Sequence, residues 1–457
     1  MEHPSSSQIP QQLDRTKMTT CTELVYRRAI VWTLVLLLSC TAATSDRQPP
    51  LISRLAKDPG TSLYTTTVKA DKSPLVVDLA GSLVWSTCPS THSTVPCESD
   101  TCATAKEQNP PRCRYVDGGR FWENRNPGSP WCACTARPLN PVTGECSTGD
   151  LTSISMSTTT TMELPPEESF AVIGACAPGS LLRSLPAGAT GVAGFSRRPL
   201  SLPSQLAAQR GFGNRFSLCL PVFATFGDTP VYLPIPDPTR GAIDFTTSGV
   251  AHTPLLTSPS NAGGYYIPVK GISVSWHGAD AEAQLPAGSL DLDVRTGRGG
   301  VVLSTVTPYA TMRPDVFRAF TRAFDDAITR GKIPMTTVER VPATKPFELC
   351  YRGGFPRLKR PSSWDVPRII LELGDGATMN WTVNNNNYLV EVDGAMCVGI
   401  LPMAMGMPVA GEPAMVIGGK QLENNLLVFD LEKQLLGFSG LLDFALTSCG
   451  AATFFRN

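Results

Sequence analysis

Short runs of β-branched and aromatic residues, broken every few positions by turn-forming residues, dominate the chain. Leu63-Tyr64-Thr65-Thr66-Thr67-Val68 and Leu75-Val76-Val77-Asp78 read as two strands, with Asp71-Lys72-Ser73-Pro74 turning them into a hairpin. Thr152 to Thr161 reads as a long exposed strand rich in hydroxyl groups. Val192-Ala193-Gly194-Phe195 and Val416-Ile417-Gly418-Gly419 repeat an apolar-apolar-Gly pattern, once in each half. Val428-Phe429-Asp430 and Leu436-Gly437-Phe438 add two further apolar runs near the end. Helical signals are confined to Ser201–Leu206 and to Pro314–Phe324, where apolar residues recur at three- and four-residue steps. The pattern predicts an all-β architecture with a minor helical share.

With 457 residues, 42% of them hydrophobic, the chain can bury one large bilobal core or two ordinary ones. Its 40 prolines and 39 glycines exceed the average share of roughly 12% and are spread along the whole length, which favours many short strands joined by turns. Residues 240 to 255 read as a passage between two lobes, spanning 45–250 and 251–457. Basic and acidic residues balance at 39 each, so the one-sided positive field of a nucleic-acid binder is missing. The four histidines, His3, His92, His252 and His277, fall in loops or in the leader, and no Gly-x-Ser-x-Gly elbow occurs, so serine-hydrolase chemistry is not expected. No cofactor is expected either.

Arg27 and Arg28 precede an apolar run from Ala29 to Leu38, followed by the small residues of Ser39-Cys40-Thr41-Ala42-Ala43-Thr44. This pattern predicts a secretory signal within residues 1–44, with Met18 as an alternative start. A run of about ten residues is half of what a membrane span needs, so no membrane anchor is expected after cleavage. Removal of the leader takes Cys21 and Cys40 and leaves twelve cysteines: Cys88, Cys97, Cys102, Cys113, Cys132, Cys134, Cys146, Cys176, Cys219, Cys350, Cys397 and Cys449. An even number in a secreted chain predicts about six disulfides. The Cys132-Ala133-Cys134 spacing is too tight for a zinc knuckle, and no metal is expected. The segment from Cys88 to Cys146, rich in Pro, Ser, Asn and Gly, is expected to be held by disulfides more than by a core of its own. Asn380-Trp381-Thr382 is a glycosylation sequon suited to an extracellular surface loop.

Taken in order, Val77-Asp78-Leu79-Ala80-Gly81-Ser82-Leu83-Val84-Trp85, Gly191-Val192-Ala193-Gly194-Phe195, Asn214–Leu220, Gly299-Gly300-Val301-Val302-Leu303-Ser304-Thr305 and Val416-Ile417-Gly418-Gly419 resemble the pepsin-like aspartic protease family, in particular its plant branch, over about residues 60 to 450. The resemblance implies a bilobal double β-barrel with a few short helices. It also implies a cleft to which each lobe once supplied an aspartate in an Asp-Thr/Ser-Gly turn. Asp78 matches the first aspartate, though Leu79-Ala80 has replaced the hydroxyl residue and glycine that follow it. Ser304 stands at the second aspartate, with Thr305 and Val306 after it, and Pro141 stands at the flap tyrosine. Family catalysis needs two carboxylates sharing a proton, one as base on water and one as acid on the carbonyl, so proteolysis is not expected. A shifted dyad using Asp291 or Asp293 is the alternative, but these lie about ten residues before Ser304, on the order of 30 Å along a strand.

The cysteine-rich insertion, Leu303-Ser304-Thr305 with Pro308-Tyr309, and Arg313-Pro314-Asp315-Val316-Phe317 are most similar to the proteolytically inactive cereal endoxylanase inhibitors, beside the extracellular dermal glycoproteins and seed basic globulins. The resemblance implies a monomeric protein of the apoplast that binds a microbial endoxylanase or another glycoside hydrolase. In the inhibitors of family 11 xylanases a histidine near the C-terminus enters the enzyme between its two carboxylates. Asp443 stands at that place, next to Phe444, and an aspartate aimed at two glutamates is repelled unless it takes up a proton. Residual endopeptidase activity and a storage or cell-wall role are the other readings. The Pro402–Met407 stretch reads as a soft contact surface or as filling beneath a lobe.

Overall fold

The computed structural model describes residues 51–110, 113–116, 132–159, 167–236, 242–331, 337–359, 363–374, 376–404 and 412–454. The leader, with Cys21, Cys40 and Met18, lies outside them, as does the Met405–Met407 part of the methionine stretch. The fold is the all-β, bilobal pepsin-like one.

Thirteen strands form one sheet. In chain order they are β1 (Leu51–Lys57), β2 (Tyr64–Thr66), β3 (Leu75–Asp78), β4 (Val84–Ser86), β5 (Thr135–Ala136), β6 (Gly149–Thr159), β7 (Glu167–Cys176), β8 (Gly191–Gly194), β9 (Arg215–Cys219), β10 (Phe223–Phe226), β11 (Ala251–Pro254), β16 (Asn425–Asp430) and β17 (Leu435–Leu441). The strands of the chain's end return to its first half: β16 pairs with β9 from Arg215↔Asp430 to Cys219↔Leu426. The Cys219–Cys449 disulfide ties the same two parts together. A six-stranded sheet in the second half contains β12 (Asn261–Ile267), β13 (Val301–Leu303), β14 (Ala310–Met312) and β15 (Met415–Ile417).

The hairpin expected around residues 71–74 is present, with Thr65 opposite Val76 and Lys72 at a φ of 62° in the turn. Both expected helices form, as α2 (Leu202–Arg210) and α3 (Pro314–Arg330). Phe317, Phe320, Ala323, Phe324 and Ala327 of α3 are buried on one face, as its three- and four-residue spacing requires. A third helix, α1 (Asp100–Glu107), lies inside the cysteine-rich segment, where no helix was expected. Ser99 caps it by accepting from Cys102 N, and its Cys102 is bonded to Cys134, so a cap and a disulfide supply what its weak amphipathic pattern does not. The remaining disulfides are Cys88–Cys176, Cys97–Cys132, Cys113–Cys146 and Cys350–Cys397.

Strand β6 corrects the expectation of an exposed hydroxyl-rich strand. Ser153 and Ser155 are exposed and Thr159 is half-buried, but the rest is buried, with β7 along one edge and partners for the hydroxyls of the far end: Thr158 donates to Ile52 O, and Ser157 Oγ accepts from Lys72 Nζ at 2.9 Å. His252 lies in β11, not in a loop.

Candidate functional site: two facing turns

The residues matched to the two aspartates sit on equivalent scaffolds. Strand β3 runs parallel to β8, with Asp78 opposite Gly194, and β8 pairs antiparallel with β4. Strand β13 runs parallel to β15, with Leu303 opposite Ile417, and β15 pairs antiparallel with β14. The two apolar-apolar-Gly repeats are the central strands of these triplets. Their glycines are dictated by close approach of the turn: a Cβ on Gly194 would stand 2.4 Å from Gly81 O, and one on Gly418 2.4 Å from the Tyr309 carbonyl carbon.

Asp78 is buried, and its Oδ1 accepts from Ala80 N at 2.9 Å. Burial pushes its carboxyl up to about 6, against the opposing pull of the Ala80 and Gly81 amides. Ser304 takes a different set of partners. Its N–H donates to Ile417 O at 2.9 Å, its hydroxyl donates to Thr307 Oγ1 at 3.0 Å, and its Oγ accepts from the N–H groups of Val306 and Thr307. Serine here closes its own turn.

Thr305 joins the two turns. Fully buried, it donates to Val77 O at 2.6 Å and accepts from Leu79 N at 3.2 Å, so one hydroxyl satisfies two backbone groups on either side of Asp78. Leu79, in the corresponding place of the first turn, has no hydroxyl to return the bond. Two further contacts across the molecule had no signal in sequence, since their members lie far apart in the chain. Tyr64 donates to Glu423 Oε1 at 2.8 Å, where Lys57 Nζ also reaches at 2.7 Å. Arg197 lies over the Tyr265 ring at 5.2 Å from its centroid and donates to Thr257 and Gln434, while Tyr265 donates to Phe195 O.

Pro141 is half-buried in the turn Leu139–Cys146, beside Asn140, whose Oδ1 accepts from Val142 N and Thr143 N. Trp85 Nε1 donates to Leu139 O at 2.9 Å, tying this turn to β4. Asp291 is paired with Lys270 at 2.8 Å, and Asp293 caps its own loop by accepting from Arg295 N and from Thr296. Both carboxylates are exposed and engaged where they stand. His92 contacts Asp150 and His277 contacts Asp365.

Asp443 is a staple between loops. Its Oδ1 accepts from Asn424 Nδ2 at 2.6 Å and its Oδ2 from Asn386 Nδ2 at 2.7 Å. The neighbouring Phe444 leaves about 47% of its surface in solvent. Asn380 is exposed at the entry to the strand Trp381–Val383, with its Oδ1 accepting from Leu373 N. Met403 packs against the Tyr266, Val302 and Val416 cluster, as filling would. No group of potential metal ligands occurs among the described residues, and none of the described helices is long and apolar enough to cross a membrane.

The family described as xylanase inhibitor N-terminal matches residues 64–228, and the one described as xylanase inhibitor C-terminal matches residues 264–440. The chain is 39% identical over 417 residues to chitinase CLP of Oryza sativa subsp. japonica, covering 89% of this chain and 91% of that one. It is 30% identical to gamma conglutin 1 of Prunus dulcis, over 92% and 94% of the two chains. Among solved structures, edgp superposes with a TM-score of 0.73 at 27% identity, over 90% of this chain and 99% of that one. Conglutin gamma from lupine seeds superposes with a TM-score of 0.68 at 26% identity, over 90% and 100%.

Proposed function

The chain belongs to the xylanase-inhibitor family of the pepsin-like fold, and from that premise we propose that it is a secreted, proteolytically silent protein that binds and inhibits a microbial glycoside hydrolase. The observation that carries the silent half of this reading is the content of the two facing turns: residues 78–81 and 304–307 hold one carboxylate, Asp78, and Ser304 is committed to its own turn. Peptide hydrolysis by a carboxyl pair needs a base on water and an acid on the carbonyl at the same moment. With its carboxyl pushed up to about 6, Asp78 is an acid or a base at a given instant, never both.

Six disulfides support the secreted and binding parts, because a braced surface has less freedom to lose on association. On this reading Phe444 supplies the exposed apolar contact, while Asp443 shapes the loop by holding Asn386 and Asn424. An inserted carboxylate would have to break both of those bonds, so a xylanase is engaged by the loop surface around Phe444.

The test pairs two assays on the secreted protein: peptide cleavage at acid pH, and titration of a fungal family 11 xylanase. Loss of xylanase activity without peptide turnover, relieved by Phe444→Ala, is the expected result. Turnover abolished by Asp78→Ala would overturn the silent reading. Silence in both assays would move the protein toward a storage or cell-wall role.

A further inference from the structure

Strand β6 has two edges, and one of them is interrupted. Toward β7 it pairs from Leu151↔Ala175 to Thr159↔Glu167. Along the other edge Leu151 O accepts from Val95 N at 2.9 Å and Leu151 N donates to Cys134 O at 2.8 Å. Further on, Ser155 O accepts from Ala70 N at 3.1 Å and Ser157 N donates to Val68 O at 2.7 Å. In extended backbone the N–H and C=O of every second residue point to the same side. Ser153 therefore falls in the set of Leu151, Ser155 and Ser157: its N–H and C=O turn away from β7, into the gap between Val95 and Ala70. Among the described residues no pairing reaches it there, and Ser155 N–H points the same way.

The gap opens into a surface groove of about 410 Å³ lined by Lys69, Asp71, Thr87, Pro89, His92 and Ser93 and open to solvent at Ser93, Ser153 and Ser155. That volume lies in the range of small-ligand sites. The groove is separate from the facing turns. It adjoins the end of the first triplet where Leu75, Gly191 and Ser86 are opposite one another, whereas Asp78 and Gly194 mark the other end.

We propose that this groove is a binding site for a short extended peptide, two or three residues long, which completes the missing rung of the β6 ladder through Ser153 N–H and C=O. Three observations select that chemistry. A donor and an acceptor on one residue, facing one way, are the complement of one peptide residue in an antiparallel pair. The interruption from Leu151 to Ser155 spans about 13 Å at the rise of a strand, which limits the occupant to a few residues. The lining holds no Phe, Tyr or Trp on which a sugar ring would stack, and its polar residues include Thr87, Thr91 and Ser93. This site stands independently of the inhibitor reading.

The probe is acetyl-alanine methylamide, about 7 Å between its end methyls when extended, titrated into the secreted full-length protein and followed by calorimetry. Ser153→Pro deletes the inward N–H without touching a β7 bond, and N-methylation of the probe's alanine deletes its donor with no change to the protein. Each is expected to weaken binding tenfold or more, and Ser93→Phe, which fills the groove, is expected to abolish it. If Ser153→Pro does not fold, as read by its thermal melt, the methylated probe and Ser93→Phe carry the test. Absence of saturable binding to the wild type, or binding indifferent to methylation and to Ser93→Phe, would overturn the proposal. So would displacement of the probe by N,N′-diacetylchitobiose at equal affinity, which would assign the amide-recognising rung to an acetamido sugar.

Discussion

In the first half of the molecule a strand ending at Asp78 runs parallel to an apolar-apolar-Gly strand, which in turn pairs antiparallel with Val84–Ser86. In the second half a strand ending at Leu303 repeats the arrangement with Met415–Ile417 and Ala310–Met312. The scaffolds are the same, and the turns at their ends have kept different things. The first turn carries a buried carboxyl without a hydroxyl beside it, and the second carries the bridging hydroxyl of Thr305 without a carboxyl. Glycines and ladder bonds hold the strands of both scaffolds, while each turn is closed by its own tip side chain: Asp78 Oδ1 accepts from Ala80 N, and Ser304 Oγ accepts from Val306 N and Thr307 N. A carboxylate and a hydroxyl can each close such a turn, so the tip residue differs between the halves while the scaffold stays the same.

Equivalence of the scaffolds has the largest measurable consequence. Gly194→Ala and Gly418→Ala each press a Cβ to 2.4 Å from backbone, and each is expected to cost about 3 kcal/mol or more, read by denaturant unfolding. A large loss in one and none in the other would break the symmetry. The contents of the turns should separate in pH. Asp78 holds its proton more tightly folded than unfolded, so it favours folding below about pH 4, and that advantage is lost as pH rises toward about 6. Asp78→Asn should thus be more stable than wild type at pH 7, by on the order of 2 to 3 kcal/mol, and no more stable at pH 3.5. Thermal melts across that range check it.

Thr305→Val strips the partner from Val77 O and Leu79 N, both in a buried turn, and is expected to lose about 2 kcal/mol at every pH. Thr305→Ser keeps the hydroxyl and is expected to lose clearly less, and a loss as large as that of Thr305→Val would show that the hydroxyl is not what joins the turns. Ser304→Ala should have the smallest effect, about 1 kcal/mol with no pH dependence, since its bonds lie within one partly exposed turn. A pH-dependent loss would mean that Ser304 is coupled to Asp78.

Much of the scaffold was readable from pattern. The 71–74 hairpin, both predicted helices and the paired glycine motifs are local signals, set by turn residues, helical spacing and apolar runs. Helix α1 escaped because its order comes from the Ser99 cap and the Cys102–Cys134 bond, neither of which imposes a periodicity. Strand β6 was legible as a strand but not as buried, since alternating hydroxyls look exposed until their partners, such as Ile52 O and Lys72, are known. At the turns, the residue identities at 78 and 304 could be read directly; the bridge from Thr305 to Val77 and Leu79 could not, because those residues stand more than two hundred positions apart.

By itself the sequence determined the β-rich character, the family and the single carboxyl in the two turns. Each of these depends on residue type at nearby positions. Only the tertiary structure decided which cysteines pair, that the last strands join the sheet of the first half, that Asp443 is a staple, and that one rung of the β6 ladder stands open. Those are properties of distance between remote residues. They follow from burying one core and satisfying its backbone groups all at once, a condition that no local pattern encodes.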